Sequence, residues 1–442
     1  MKIQLSDHFG YAKLLRFTLP SIAMMILTSI YGVVDGLFVS NFVGKTEFAA
    51  VNFIFPFLMM LGAVGFMFGT GGSALIAKTM GEGDREKANK LFSLFVYISA
   101  VLGIVIAVIS FVFIRPIASL MGAEGEMLEY SVTYARILLM GLPALILQFE
   151  FQSFFVTAEK PQLGLFVTVG AGVTNMVLDA LLTAVFPLGI AGAAIATVMS
   201  QVVGGIVPLF YFTVKNTSLL RLTKTSIDGK ALIKASSNGS SELMSNISMS
   251  LVSMLYNIQL IKYAGENGVA AYGVLMYVNF VFVAIFIGFS VGSAPIFSYH
   301  FGAGNTSELK SLLKKSVCIN LAASLVMAVA ALILAKPLSH IFVSYDKELF
   351  DMTVRGFYFS SFSYLFAGLA IFSSSFFTAL NNGLVSAVIS FLRTLVFQIG
   401  AVMILPLILG IDGIWLSIVV AELIATVISV LFIIVLKPKY KY

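Results

Sequence analysis

Charge is scarce in this sequence: 11% of its 442 residues are Asp, Glu, Lys or Arg, while 59% are hydrophobic. A soluble domain carries roughly 25% charged residues, so an ordinary water-facing surface is excluded and lipid becomes the expected solvent. Cysteine is nearly absent as well. The single Cys318 sits in an apolar run, which excludes a disulfide framework and a cysteine-based metal site. The three histidines, His8, His300 and His340, lie at or beyond the ends of apolar stretches. They form no metal-ligand spacing and no catalytic constellation, so an embedded acyltransferase or protease is disfavoured and no enzyme is expected. Gly81-Glu82-Gly83-Asp84 lacks the GKS/T ending of a phosphate loop and no strand precedes it, which argues against direct ATP drive. The polar start, Met1–Asp7, has no signal-peptide pattern. The alternating pattern of barrel strands is missing too.

Apolar runs are what the chain has in abundance. Stretches long enough to cross a bilayer, about 20 residues each, lie near 14–40, 49–73, 91–114, 130–153, 162–186 and 188–214. A polar connection at 215–235 follows, then six more near 236–261, 269–295, 313–335, 353–377, 383–408 and 412–436. With twelve spans, nineteen Lys and Arg fall in one set of loops and seven in the other, which places the richer set and both termini in the cytoplasm. The net charge of +6 then reads as basic loops against anionic lipid rather than as a nucleic-acid footprint. A multi-pass protein of the inner membrane is expected.

The sequence also repeats itself. Gly72-Ser73-Ala74 with Gly81-Glu82-Gly83-Asp84 resembles Gly292-Ser293-Ala294 with Gly302-Ala303-Gly304-Asn305. Thr157-Ala158 returns as Thr378-Ala379, and Gly189-Ile190-Ala191-Gly192 as Gly410-Ile411-Asp412-Gly413. The offset is near 221 residues, or six helices, and six helices preserve direction across the membrane. Two halves, 1–214 and 236–442, should therefore be related by an axis along the membrane normal, with a cavity between them.

Charged groups inside spans are the default functional candidates, since each costs about 2.5–3.5 kcal/mol to insert. They are Asp35, Glu150, Asp179, Glu242, Glu422 and Arg393. At 1.5 Å per residue, Asp35 lies roughly 8 Å and Asp179 roughly 10 Å from the outer ends of their helices. Asn175 shares a face with Asp179, Thr197 reaches a comparable depth, and Tyr31 is one turn below Asp35. These five should converge in the outer half of the N-terminal bundle. Two carboxylates in a weakly hydrated pocket cannot both stay ionised unaided, so the pair should hold a proton or a small cation such as Na⁺. Arg393 and Glu422 reach similar depth from opposite sides and are expected to form a structural ion pair. Glu242 has no obvious partner at its depth and is a second coupling candidate. Glu150, near a helix end, is expected to snorkel. Pro20 is expected to kink the first helix as a gate. Soft Met276 and flat Phe280 suit a promiscuous cavity wall.

Together these features resemble the MATE family, the multidrug and toxic compound extrusion transporters. The resemblance rests on Pro20 with Val34-Asp35, Gly81-Glu82-Gly83-Asp84, Asn175 through Asp179 as Asn-x-x-x-Asp, and Gly189 through Ala194 leading to Thr197. In the second half it rests on Ala294-Pro295-Ile296 with Gly302-Ala303-Gly304, and on Gly410 through Trp415 with Ala421-Glu422. It spans essentially the whole chain. It implies an all-α membrane fold of twelve helices in two pseudo-symmetric six-helix bundles around a central cleft. It also implies antiport of amphipathic, often cationic drugs against H⁺ or Na⁺, with no other cofactor. Asp35, Asp179, Asn175 and Thr197 would form the N-lobe cation site, Glu242 a C-lobe acid, and Gln152 a further polar group. Position 400, the half-chain partner of Asp179, is Gly400, so the C-lobe does not copy the Asp pair. A monomer is expected. The rival is a flippase or exporter of lipid-linked saccharide or another lipid-like substrate, which Arg393 as lone intramembrane cation disfavours.

Overall fold

The computed structural model describes residues 3–442, and within them the side chains of all but residues 33, 36, 37, 40, 41 and 45; the first two residues of the polar start lie outside it. Backbone groups in lipid must find partners within their own segment, and the described residues accordingly form helices and no strand. They are α1 (Tyr11–Phe38), α2 (Lys45–Gly81), α3 (Arg85–Leu120), α4 (Gly125–Thr157), α5 (Pro161–Asp179) and α6 (Gly189–Thr213). Helix α7 begins at Gly229, capped by Asp228, so the last part of the expected linker is already helical.

Residues Gly229–Gly302 are helical on both sides of a break at Gly265, whose φ of 61° and ψ of −152° belong to a region essentially reserved for glycine. An unbroken helix of that length would extend roughly 110 Å. Instead Gly239 meets the Met67 carbonyl and Gly302 meets the Lys78 carbonyl, so both ends return to α2. The rings of Tyr256 and Tyr272 stack across the turn at 5.1 Å. The segment is a hairpin of two spans, α7 (229–264) and α8 (266–302). The rest are α9 (Thr306–Val343), α10 (Lys347–Ser360, continued through a tight turn to Ala379), α11 (Gly383–Leu409) and α12 (Ile411–Tyr440). The eleven long apolar segments, counted with this hairpin as two, make the twelve spans of the predicted fold.

The repeat is visible in backbone detail. Gly83 (φ 92°) precedes Asp84, which caps α3 by accepting from the Lys87 N–H; Gly304 (φ 67°) precedes Asn305, which caps α9 by accepting from the Glu308 N–H. Gly189 and Gly410 open α6 and α12 at φ of 60° and 59°. Left-handed residues and oxygen caps let a helix stop and restart within a few residues; at Gly189 and Gly410 the glycine acts without a side-chain cap.

The two bundles meet through glycine. A Cβ on Gly71 would lie 2.0 Å from the Ala235 carbonyl, and one on Gly288 would lie 2.4 Å from the Ile22 backbone. Gly292 likewise presses on Thr18. Pro20 lies inside this contact, buried, and α1 runs as one α-helix through it. Further on, Gly81 abuts the Tyr299 carbonyl and Gly302 the Lys78 carbonyl, each at 2.0 Å from the absent Cβ. Lys78 and Tyr299 are 221 residues apart, as are Gly81 and Gly302. The same contact is made twice, so a pseudo-twofold axis passes between the terminus-side ends of α2 and α8. At that face the lobes are shut.

Candidate functional site

Three of the intramembrane charges adjoin turns of wider, π-helical winding. Asp35 lies four residues before the π turn Val39–Val43, Asp179 immediately precedes Ala180–Val185, and Arg393 lies within Leu392–Val396. Such turns redirect the side chains around them and are frequent at functional sites.

In the N-lobe, α1, α5 and α6 bring Asp35, Asn175, Asp179 and Thr197 together. The Thr197 hydroxyl donates to Asp35 Oδ1 at 3.4 Å and also to the Ala193 carbonyl at 3.1 Å. Asn175 and the Asp179 carboxyl both face the Asp35 carboxyl. Asp179 is fully buried, and neither of its oxygens has a hydrogen bond of ordinary geometry among the described residues. Its backbone carbonyl accepts from Thr183 at 2.6 Å, which steadies the π turn behind it. Tyr31 is near but serves a different contact: its ring fills the place of a side chain at Gly172, 2.0 Å from where a Cβ would stand. Sequence reading missed Tyr134 on α4. It is fully buried, its hydroxyl approaches Thr197, and both carboxyls act on it electrostatically. Its place in the first half of α4 was the available signal. Chemically the chamber is a set of hard oxygen donors, able to take a proton or a small cation.

Glu150 departs from its expectation. It is fully buried and neither carboxyl oxygen is hydrogen-bonded among the described residues. It does not snorkel, because α4 continues to Thr157 and the Glu150 backbone is pressed against Gly69 of α2.

The second feature is a cavity of about 340 Å³ between the lobes, set mostly in the C-lobe. Arg393 Nε donates to Glu422 Oε2 at 2.8 Å, so the structure brings these two residues together. Glu242 is not alone as expected: it lines the same cavity, and the Arg393 charge acts on it. Met276 and Gln152 are on the wall; Phe280 is not, being 42% exposed, with its carbonyl accepting from Ser29 at 3.4 Å. The N-lobe side sets an aromatic pair, Phe66 stacked on Phe149 at 4.0 Å, beside the polar Thr70, Ser73 and Gln152. The C-lobe floor is polar: the Ser374 hydroxyl bonds Ser386 and Ser390 at 2.9 and 2.8 Å, and Thr378 bonds Ser386 at 2.7 Å. At the counterpart of Asp35, the C-lobe has Tyr256, whose hydroxyl donates to Gln398 at 2.9 Å.

A buried ion pair is costly to break singly and much less costly to remove whole. Arg393→Met should lower the melting temperature in detergent by an amount matching about 3–5 kcal/mol, and Arg393→Met with Glu422→Leu by clearly less. Equal losses from the single and double variants, measured by thermal unfolding, would show that Glu422 does not depend on Arg393.

These features define a class: a polytopic membrane protein of two six-helix lobes, with an acid chamber in one and a mixed polar and aromatic cavity between them. The family model described as MatE matches twice, at residues 20–181 and 243–404, one match per lobe. The chain belongs to the MatE family. Among its relatives is the "Multidrug export protein MepA" of Staphylococcus haemolyticus, 28% identical over 305 residues, covering 69% of this chain and 67% of that protein. The MepA of Staphylococcus saprophyticus is 24% identical over 96% of this chain and 94% of its own length. Among solved structures, an "Outward-facing conformation of a multidrug resistance MATE family transporter of the MOP superfamily" superposes with a TM-score of 0.93 at 24% identity, covering 98% of this chain and 97% of that one. A MOP superfamily transporter from Pyrococcus furiosus superposes at 0.91 with 23% identity, covering 98% of both chains. At these identities the structural likeness is one of fold.

Proposed function

We propose that this protein is a multidrug efflux antiporter that exchanges H⁺ or Na⁺ for amphipathic, often cationic organic compounds by alternating access. The observation that carries the reading is the pair of facing carboxyls, Asp35 and Asp179, in a buried oxygen-lined chamber. An incoming cation binds there, with Asn175, Thr197 and Tyr134 supplying further oxygens; Na⁺ would be held by the same set. The drug occupies the inter-lobe cavity, its aromatic parts against Phe66 and Phe149 and its cationic part near Glu242 and Glu422. The basic face, which carries both termini, lies in the cytoplasm of the cell membrane, so the closed glycine contacts make this the state shut to the cytoplasm. Cation and drug are coupled because each has a different affinity for the two states. The names of the MepA relatives support the multidrug reading.

The test is transport in vesicles against a panel of cationic dyes. An imposed gradient of H⁺ or Na⁺ should drive dye uptake into everted vesicles, and collapse of that gradient should stop it. Uptake independent of both gradients would overturn the antiport reading.

A further inference from the structure

The segment before α1 does more than lead into the membrane. Residues 3–10 run beneath the closed seam between the lobes and are held by both. On the N-lobe side, the Leu5 N–H donates to Glu159 Oε1 at 2.7 Å, in the connection between α4 and α5. On the C-lobe side, Glu308 in the first turn of α9 takes two contacts: the Phe9 N–H at 2.9 Å and His8 Nδ1 at 2.6 Å. Lys315 donates to the Phe9 carbonyl. The buried His300 ring, at the end of α8, faces the Leu5 and Asp7 backbone without a hydrogen bond of ordinary geometry among the described residues. The segment is also folded on itself, since Asp7 accepts from the Gln4 N–H at 2.9 Å and pairs with Lys13 at 2.8 Å.

Its apolar side chains are plugs. Leu5 and Phe9 are fully buried, in a cluster with Phe155 of the N-lobe and Phe297 and Leu309 of the C-lobe. Phe9 meets Phe17 of α1 edge-on at 6.0 Å. Opening the terminus-side seam moves α8 and α9 away from α1 and the α4–α5 connection. A strap held to both sides must let go of one. Its N-lobe hold continues covalently into α1; on the C-lobe side its charged hold is the Glu308 carboxylate, helped by Lys315, beside the apolar packing of Leu5 and Phe9 on Phe297 and Leu309.

We infer that residues 3–10 are a strap that locks the lobes together at the terminus face, and that release from Glu308 is a required step in opening that face. This goes beyond the antiport reading and needs neither a coupling ion nor a drug to be identified.

The test reads accessibility. Ser21, fully buried in the seam beside Gly288, is replaced by cysteine (Ser21→Cys) in a Cys318→Ser background. A membrane-impermeant thiol reagent is applied to the face carrying the termini. Labelling should be slow in this chain and rise by roughly tenfold or more with Glu308→Ala, the loss of the charge-assisted hold on His8 and the Phe9 N–H. Glu308→Gln, which keeps the acceptor for the Phe9 N–H, should restore much of the protection. A His8→Cys/Glu308→Cys pair in the same background should stop transport when oxidised and regain it on reduction. Unchanged labelling in Glu308→Ala, or full transport by the oxidised pair, would overturn the strap while leaving the transport proposal standing. A monodisperse peak on gel filtration distinguishes release from misfolding.

Discussion

Asp35→Asn is expected to reduce export to the level of cells lacking the protein, with surface abundance unchanged. Asparagine has nearly the shape of aspartate and still accepts from Thr197, so the local packing persists. On the proposed antiport mechanism, what disappears is the charge that changes when a cation binds. Without it the chamber would have the same affinity for the cation in both states, and a ligand with equal affinities shifts nothing. Ordinary coupling energies of about 1–3 kcal/mol correspond to roughly 5- to 150-fold, so dye efflux should fall by at least the lower figure. Asp179→Asn should fall as far, because its carboxyl faces the same partner with no other ordinary hydrogen bond among the described residues. Thermal stability should hold or rise, since two facing buried carboxyls repel. The measurement is drug resistance alongside membrane abundance by blotting. Wild-type resistance in Asp35→Asn would remove the chamber from the mechanism.

Much of this architecture was legible in the residues. Long apolar runs fix spans because lipid permits little else; the repeats at 81 and 302 became similar turns because glycine and a capping oxygen set the backbone there, and those at 189 and 410 because a positive-φ glycine does. Depth counting brought Asp35, Asn175, Asp179 and Thr197 to one level, since rise per residue is nearly constant. Rotation about the helix axis was less legible. Glu150 was placed by its distance from a helix end, but its direction is set by the packing of α2 at Gly69, which no local pattern reveals. Glu242 and Arg393 come from helices far apart in sequence, and their lining one cavity depends on how α7 sits against α11. Phe280 shares a helix with Met276 yet falls just off the cavity wall. A helix that is apolar all round gives no stripe from which to read its facing side.

Gly302→Ala, and equally Gly81→Ala, is expected to leave the protein folded but unable to shut its terminus face. In each case the new methyl would stand 2.0 Å from a carbonyl oxygen of the opposite lobe, and the obstacle is backbone, which cannot rotate aside. Both glycines lie at helix ends, and the nearest atoms the added group would meet all belong to the opposite lobe. Overpacking of this kind costs typically 1–3 kcal/mol, and here the cost falls on one conformational state rather than on folding. It therefore appears as a shift in population, of roughly 5- to 150-fold against the closed form. Labelling at Ser21→Cys from the terminus face should rise accordingly, while dye export falls. Because the pseudo-twofold axis makes the two contacts equivalent, the two variants should behave alike, although they lie in opposite halves of the chain. Gly400→Ala, where a Cβ meets nothing within 4 Å, should leave both readouts unchanged. Normal labelling and export in both Gly81→Ala and Gly302→Ala would mean that the lobes do not close by this contact, and the seal would have to be sought higher, at Gly71, Gly288 and Gly292.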